Sequence, residues 1–88
     1  MEINVSKLYE ELGGGGNLNG IQQVLSESLT GKNIDLLEYD EEEKEYCLVD
    51  NYNILSVIIW EGNLAFTFGP NEYDLCSIEP TDKIIIND

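Results

Sequence analysis

Carboxylates are the side chains of this 88-residue chain with the most chemistry to offer. Eighteen Asp and Glu residues stand against four lysines, which gives a formal net charge of −14, and the sequence contains no arginine and no histidine. A chain without histidine lacks the commonest general acid–base and the commonest nitrogen ligand of metals. A chain without arginine lacks the side chain that grips phosphate or carboxylate substrates with two parallel hydrogen bonds. This inventory predicts a non-enzymatic protein with no cofactor and no metal site.

The acids are concentrated in the later part of the chain. Residues 1–34 carry four acids and two lysines, whereas residues 35–88 carry fourteen acids and two lysines. Six acids fall within eight consecutive positions, and a thinner group follows around residue 73. We predict that both groups bind a partner. The candidate residues are Glu38, Asp40, Glu41, Glu42, Glu43 and Glu45, with Glu72 and Asp74 from the thinner group.

The distance between carboxylates in the dense group is similar to the distance between phosphates in nucleic acid. On a strand, Glu38 and Asp40 share a face about 6.6–6.8 Å apart, close to two steps of the ~3.4 Å phosphate spacing along one DNA strand. The competing interpretation is a solvated loop whose charges keep the hairpin from pairing with other chains. A calcium site is not favoured, because the group lacks the Asp-x-Asx-x-Asx-Gly spacing that wraps a chain around the ion.

The charge also predicts the kind of partner. A net charge of −14 opposes direct binding to nucleic acid or to an anionic membrane. A basic protein surface is the natural complement, and electrostatic steering speeds the encounter with it. Because Glu2 stands where a signal peptide carries positive charge and no long apolar segment follows, we expect the protein in the cytoplasm.

The two cysteines, Cys47 and Cys76, do not form a C-x-x-C motif. Each falls in an apolar segment with the composition of a strand, and disulfides are rare in the cytosol. We therefore predict two buried thiols rather than a disulfide.

Two N-terminal helices are expected to support the acidic part of the chain. Apolar residues recur at helical spacing in residues 4–12 and again in residues 19–30. Four consecutive glycines lie between them, and we predict a flexible connector there, since no lysine follows at the spacing of a phosphate-binding loop. The helical residues expected in the core are Leu8, Leu12, Val24, Leu25 and Leu29.

From residue 33 onward the pattern changes to that of strands. The predicted strands are 34–39, 45–49, 54–61, 64–68 and 73–78, with 83–86 as an edge strand at the end. Helices followed by consecutive strands indicate an α+β fold, with two N-terminal helices packed on one face of a four- to five-stranded antiparallel sheet. The length fits a single compact acidic domain over residues 1–88.

The strands 54–61 and 64–68 frame a predicted hairpin. Glycine at the first of the two loop positions, Gly62 and Asn63, is typical of a type II′ turn. That loop sets Ile59 opposite Phe66 and Val57 opposite Phe68, so this face meets the helices. Trp60 falls on the other face, where it is either an exposed partner-binding anchor or is covered by a loop or by the C-terminal strand.

The whole chain resembles a class of small acidic proteins encoded by phages. Its size, its charge, the segment EYDEEEKEY at 38–46 and the segment LSVIIWEG at 55–62 are similar to those of DNA-mimicking inhibitors. Anti-CRISPR proteins, anti-restriction proteins and the uracil-DNA glycosylase inhibitor are members of that class. The resemblance extends to the order of elements in the glycosylase inhibitor: two helical segments, an acidic hairpin and apolar strands.

The resemblance implies a non-enzymatic, anti-defence function in the host cytoplasm. The protein is expected to block the basic nucleic-acid-binding groove of a target enzyme or effector complex by imitating the charge of DNA or RNA. The alternative is an immunity or antitoxin protein that plugs the basic active site of a toxin. A third class, a regulatory subunit without mimicry, would bind its partner with little dependence on salt.

Overall fold

Residues 1–87 are described by this computed structural model, apart from the side chains of residues 72 and 73. The predicted α+β class is confirmed: two N-terminal helices pack on an antiparallel sheet, which over the described residues has six strands rather than four or five. In chain order the elements are β1 (Glu2–Asn4), α1 (Val5–Glu11), a three-ten turn (Gly14–Asn17), α2 (Leu18–Leu29), β2 (Asn33–Asp40), β3 (Glu45–Trp60), β4 (Asn63–Phe68), β5 (Asn71–Ser77) and β6 (Lys83–Ile86).

The strands lie in the order β1-β6-β2-β3-β4-β5. The prediction that residues 83–86 form an edge strand is wrong, because β6 pairs with β1 on one side and with β2 on the other. Ile84 and Ile86 point into the core and are buried, and the outer edge beside β6 is formed by the three residues of β1.

β3 is one strand of sixteen residues where the sequence predicted two. Residues 45–53 pair with β2, and residues from Ile54 to the end of the strand pair with β4. A straight strand of that length would measure about 50 Å, whereas the longest dimension of the protein is 33 Å. β3 therefore bends. The register of β3 skips Val49 in the pairing with β2 and Leu55 in the pairing with β4, and these two bulges allow the strand to bend.

The bent sheet encloses one hydrophobic cluster with the helices against it. Phe66 of β4 is fully buried, and the ring centroid of Tyr52 lies 5.0 Å away. The predicted core residues Leu25, Leu29, Val57 and Phe66 are buried, together with Val5, Ile3, Ile21, Ile34, Leu36, Ile54, Leu64, Ile78, Ile84 and Ile86. Three predicted residues, Leu8, Leu12 and Phe68, are only partly buried against this cluster.

Two core predictions are corrected by the burial of the side chains. Val24 is half-buried and lies outside the cluster, because Ile21, Leu25 and Leu29 take the inward stripe of α2. Ile59 is 36% exposed, since it is the last residue but one of β3, beside the turn that follows the strand.

The β3–β4 turn differs from the predicted one by a single residue. Its loop is Glu61 and Gly62, and both have positive φ, 50° and 79°, as a type I′ turn requires. Trp60 consequently pairs with Asn63, and Val57 pairs with Phe66. The predicted type II′ turn and its register are wrong. The same side chains still share a face. Moving the loop by one residue changes the partner of each residue by two positions, as from Ile59 to Val57 opposite Phe66, and residues two apart on a strand point to the same side.

The glycine run, where the sequence predicted a flexible connector, contains a short regular element. Gly13 and Gly14 have positive φ, and the three-ten turn begins at Gly14. Asn17 donates from Nδ2 to the carbonyl of Leu12 at 2.7 Å and so ties the end of α1 to the start of α2. A Cβ at Gly20 would lie 2.6 Å from that same Nδ2, so a larger residue there would displace the Asn17 side chain that makes this hydrogen bond.

In the described part of the chain no helix is both long enough and apolar enough to cross a membrane.

Candidate partner-binding surface

The predicted acidic cluster lies on a hairpin that extends past its neighbours. In the pairings described, β6 reaches only residues 34–37 of β2, and β4 reaches β3 only from Ile54 onward. The hairpin segment 38–50, which we call the acidic arm, therefore has only its own two strands to pair with. Most of its side chains are exposed, so the arm projects from the body of the protein.

The turn of the arm is built by one of the predicted site residues. Asp40 accepts hydrogen bonds at Oδ1 from the backbone N–H groups of Glu42, at 2.9 Å, and Glu43, at 3.3 Å. Lys44 closes the turn with a φ of 56°. An aspartate that binds the amides two and three residues later is a common way to stabilise a turn. Asp40 thus shapes the arm as well as adding to its charge.

The side chains of the three glutamates in the turn have no partner among the described residues. Glu41, Glu42 and Glu43 are all exposed, and their carboxylates make no hydrogen bond or ion pair with any described residue. Asp40 and Glu45 face each other across the strands, which places two more like charges side by side. The turn therefore presents uncompensated negative charge to solvent.

Register gives the arm two different faces. Glu38 pairs with Cys47 and Asp40 with Glu45, so these side chains share the face that continues into the core. The prediction that Glu38 and Asp40 share a face agrees with this register. The opposite face carries Leu37, Tyr39, Tyr46 and Leu48, as the pairs Leu37–Leu48 and Tyr39–Tyr46 require.

A buried carboxyl group lies where the acidic face meets the core. Asp82 is only 2% exposed, and its Oδ2 accepts a hydrogen bond from the backbone N–H of Glu79 at 2.8 Å. Burial raises the pKa of Asp82 to about 6, the hydrogen bond opposes this shift, and the charges of Glu38 and Glu79 add to it. One acid of the arm is thus coupled electrostatically to a titrating group inside the protein.

The cysteine prediction is half right. Cys47 and Cys76 are both free thiols, and Cys76 is half-buried. Cys47 is exposed, which contradicts the predicted burial, because the apolar segment around it belongs to the projecting arm. Desolvation, followed by the charges of Asp40, Glu45 and Glu43, raises the pKa of the Cys47 thiol. A thiol with a raised pKa is a poor nucleophile, so this cysteine is not suited to covalent chemistry.

The remaining predicted site residues lie away from the arm. Trp60 is at the opposite end of β3 and is 53% exposed, so the alternative in which a loop or the C-terminal strand covers it is wrong. Asp74 is exposed on β5, which is separated from β2 by two strands. The side chain of Glu72 lies outside the described residues.

Sequence reasoning missed the apolar face of the arm. Tyr39 is 41% exposed and Leu48 is 62% exposed. The rings of Tyr39 and Tyr46 meet edge to face, with centroids 5.2 Å apart, and the Lys83 ammonium lies 4.1 Å from the Tyr46 centroid. Alternation within the EYDEEEKEY segment already separates its tyrosines from Glu38, Asp40 and Glu45, and that signal could have revealed the second face.

The chemistry of this surface has to be argued from its own residues. No protein family, no curated protein and no solved structure matches the chain. Among the described residues no group of three His, Cys, Asp or Glu side chains is arranged to hold a metal ion. Charge, shape and exposed aromatic rings are therefore the properties that bear on function.

Proposed function

We propose that this protein is a non-enzymatic inhibitor that occupies the basic nucleic-acid-binding groove of a target protein in place of DNA or RNA. The observation that carries the proposal is the acidic arm, a projecting hairpin with six carboxylates in eight residues. A projecting element can enter a groove that a flat sheet could not. Its charge matches the polyanion that such a groove evolved to bind.

Electrostatic repulsion within the arm supports a binding role. Like charges directly opposite each other on paired strands destabilise a hairpin, and Asp40 and Glu45 are placed in this way. Lys44 is the only lysine within the segment 38–50, and Lys83, which lies against the Tyr46 ring, is engaged by Glu2 at 3.1 Å. A basic partner would relieve the repulsion, so neutralisation of the arm adds to the affinity for that partner.

The size of the electrostatic effect defines what the arm can contribute. Exposed ion pairs contribute roughly 0.2–1 kcal/mol each, so each carboxylate of the arm adds little by itself. Several acting together can supply affinity, and they raise the association rate at low salt. The proposal therefore predicts target binding that is fast, strongly dependent on salt, and sensitive to combined rather than single substitutions.

The test uses two variants with equal net charge. Glu41, Glu42 and Glu43 are changed to Gln in the turn variant, and Glu10, Glu11 and Glu27 are changed to Gln in the control variant. Both sets are exposed, and the control set lies on α1 and α2 rather than on the arm. Wild type and both variants are immobilised, target proteins are captured from lysate at low and high salt, and eluted proteins are identified by mass.

Competition with nucleic acid is the decisive measurement. We expect duplex DNA or structured RNA to displace the captured target from the wild type and from the control variant, while the turn variant captures little of it. Equal capture by both variants would show that the turn is a solubility device. A target that nucleic acid fails to displace would also contradict mimicry.

Nucleic acid itself should not bind the protein. The net charge of −14 and the absence of arginine remove the phosphate contacts on which such binding depends. A mobility-shift assay with labelled duplex and single-stranded DNA at micromolar protein checks this. A shifted band would contradict the proposal directly.

A further inference from the structure

The apolar face of the arm forms part of a small cleft. Tyr39 and Tyr46 line it from the arm, and Ser6 and Thr81 line it from the body of the protein. The cavity has a volume of about 200 Å³ and is open to solvent. We call it the tyrosine cleft. It lies beside the carboxylates of the arm but is made of different chemistry, namely aromatic rings and hydroxyl groups.

The protein already places a cation against this aromatic pair. The Lys83 ammonium lies 4.1 Å from the Tyr46 ring centroid, well within the ~6 Å at which cation–π attraction is effective. The same ammonium is 3.1 Å from Oε1 of Glu2, which holds it in place. Tyr46 is therefore occupied by an internal cation, whereas 41% of Tyr39 is accessible from solvent.

The hydroxyl groups of the cleft can accept hydrogen bonds. Ser6 donates its own hydroxyl proton to Oδ1 of Asn4 at 2.7 Å, so its oxygen lone pairs remain available to a donor. Thr81 is exposed and contributes a second hydroxyl. An aromatic face next to oxygen acceptors, on a hairpin whose turn carries Glu41, Glu42 and Glu43, matches a planar cation that has several N–H donors.

We propose that the tyrosine cleft receives an arginine side chain of the target protein, with its guanidinium against Tyr39 and hydrogen-bonded to the hydroxyl oxygens of Ser6 and Thr81. This inference rests on the proposed function, because a basic groove is what supplies the arginine. Arginine fits better than lysine, since its flat guanidinium stacks on aromatic rings and sheds water more readily than an ammonium. The carboxylates then attract the target, and the cleft slows its release.

The experiment measures binding of a tetra-arginine peptide by NMR. Aromatic ring and backbone amide signals of the isotopically labelled protein are followed as the peptide is added, with a tetra-citrulline peptide as the uncharged control. We expect the Tyr39 and Tyr46 ring signals to shift and saturate with tetra-arginine only. Tyr39→Leu should weaken peptide binding about two- to fivefold, the range of an exposed cation–π contact.

Two matched variants separate the cleft from general charge attraction. Tyr39→Phe keeps the ring and should bind as the wild type does. Leu75→Ala removes an exposed apolar side chain on β5, away from the cleft in the sheet order, and should leave peptide binding unchanged. Circular dichroism of each variant checks that the fold is intact. The titration of the wild type tests the inference even if a variant fails to fold.

Two results would overturn the inference. In the first, tetra-arginine shifts only the amide signals of residues 41–45, and Tyr39→Leu binds as tightly as the wild type. In the second, no signal shifts at all. Neither result decides the proposed function, which depends on whether the target is lost from the variant with Glu41, Glu42 and Glu43 changed to Gln. If the cleft does not bind arginine but the variant still loses the target, the mimicry proposal stands and only the arginine inference fails.

Discussion

The two halves of β3 differ in how far their neighbours cover them. From Ile54 to its end, the strand lies between β4 and the helices, and Ile54 and Val57 are buried. From Glu45 to residue 53, the same strand has only β2 beside it, and most of its side chains are exposed. One continuous strand thus joins a packed body to a projecting arm.

Stability and charge are therefore located in different parts of this protein. Burial of apolar surface stabilises a fold, and nearly all of that surface lies in the body. Exposed charges contribute little to stability, and the densest group of them lies on the arm. The arm can therefore change its charge without loss of the fold, whereas the body cannot change its packing.

The largest expected effect comes from the packed half. Phe66→Ala should lower the free energy of unfolding by about 3–5 kcal/mol, because a fully buried ring is lost and a cavity is left against Tyr52. Leu48→Ala on the arm is the matched control, and since Leu48 is 62% exposed it should cost less than about 0.5 kcal/mol. Urea unfolding measures both. Equal costs would erase the proposed division between body and arm.

Asp82, the buried acid where the acidic face of the arm meets the core, should make the stability of the protein depend on pH. Asp82 has a folded-state pKa of about 6 against an ordinary value of 3.8, so between these pH values the folded protein binds more protons than the unfolded chain. The contribution of Asp82 to the free energy of unfolding therefore falls as pH rises from about 4, and its cost is fully present above pH 6.

Asp82→Asn should remove this cost. The variant keeps an oxygen that can accept the Glu79 N–H, and it should be more stable than the wild type by about 1–3 kcal/mol at pH 7.5. The two proteins should converge below pH 4. Urea unfolding at both pH values tests the difference, and a variant that is less stable than wild type at pH 7.5 would contradict it.

Local patterns account for how much of the fold could be predicted from sequence. Alternation in β4 located Phe66 in the core even though the predicted turn was wrong, because a side chain's face depends only on parity. The same reasoning could not place β6 between β1 and β2, since the order of strands in a sheet depends on contacts distant in sequence. β1 has only three residues, too few for any periodic signal.

Some features of the candidate surface could also be predicted from sequence, and others required the fold. The acids of residues 38–45 are a matter of composition and could be read directly from the chain. The exposure of Cys47 could not, because its apolar neighbours look like a buried strand until the sheet shows that the arm leaves the body. The tyrosine cleft needs Ser6 and Thr81, which arrive from the other end of the sequence.

The exposed tryptophan tests whether one partner covers both halves of β3. The longest dimension of the protein is 33 Å, so an interface of ordinary size, about 800 Å² on each partner, can extend from the arm towards Trp60. We expect Trp60→Ala to speed dissociation from the target about tenfold, as the loss of an aromatic anchor does. Its salt dependence should match that of the wild type. Unchanged dissociation would confine the interface to the arm.

The smallest expected effect is on the stability of the arm itself. Changing Glu41, Glu42 and Glu43 to Gln removes like charges that make no stabilising contact with any described residue. The free energy of unfolding should stay constant or rise by a few tenths of a kcal/mol, with the rise fading as salt screens the repulsion. The turn should keep its shape, because Asp40 and the amides that it binds are unaltered.

Urea unfolding in low and high salt measures this small effect, and the variant with Glu10, Glu11 and Glu27 changed to Gln is the control of equal charge. That control removes acids which lie on the helices rather than in the crowded turn, so its gain at low salt should be smaller. A turn variant clearly less stable than the control would mean that these glutamates hold the arm together. They would then be structural residues of the hairpin, and a loss of target binding in that variant could no longer be attributed to charge.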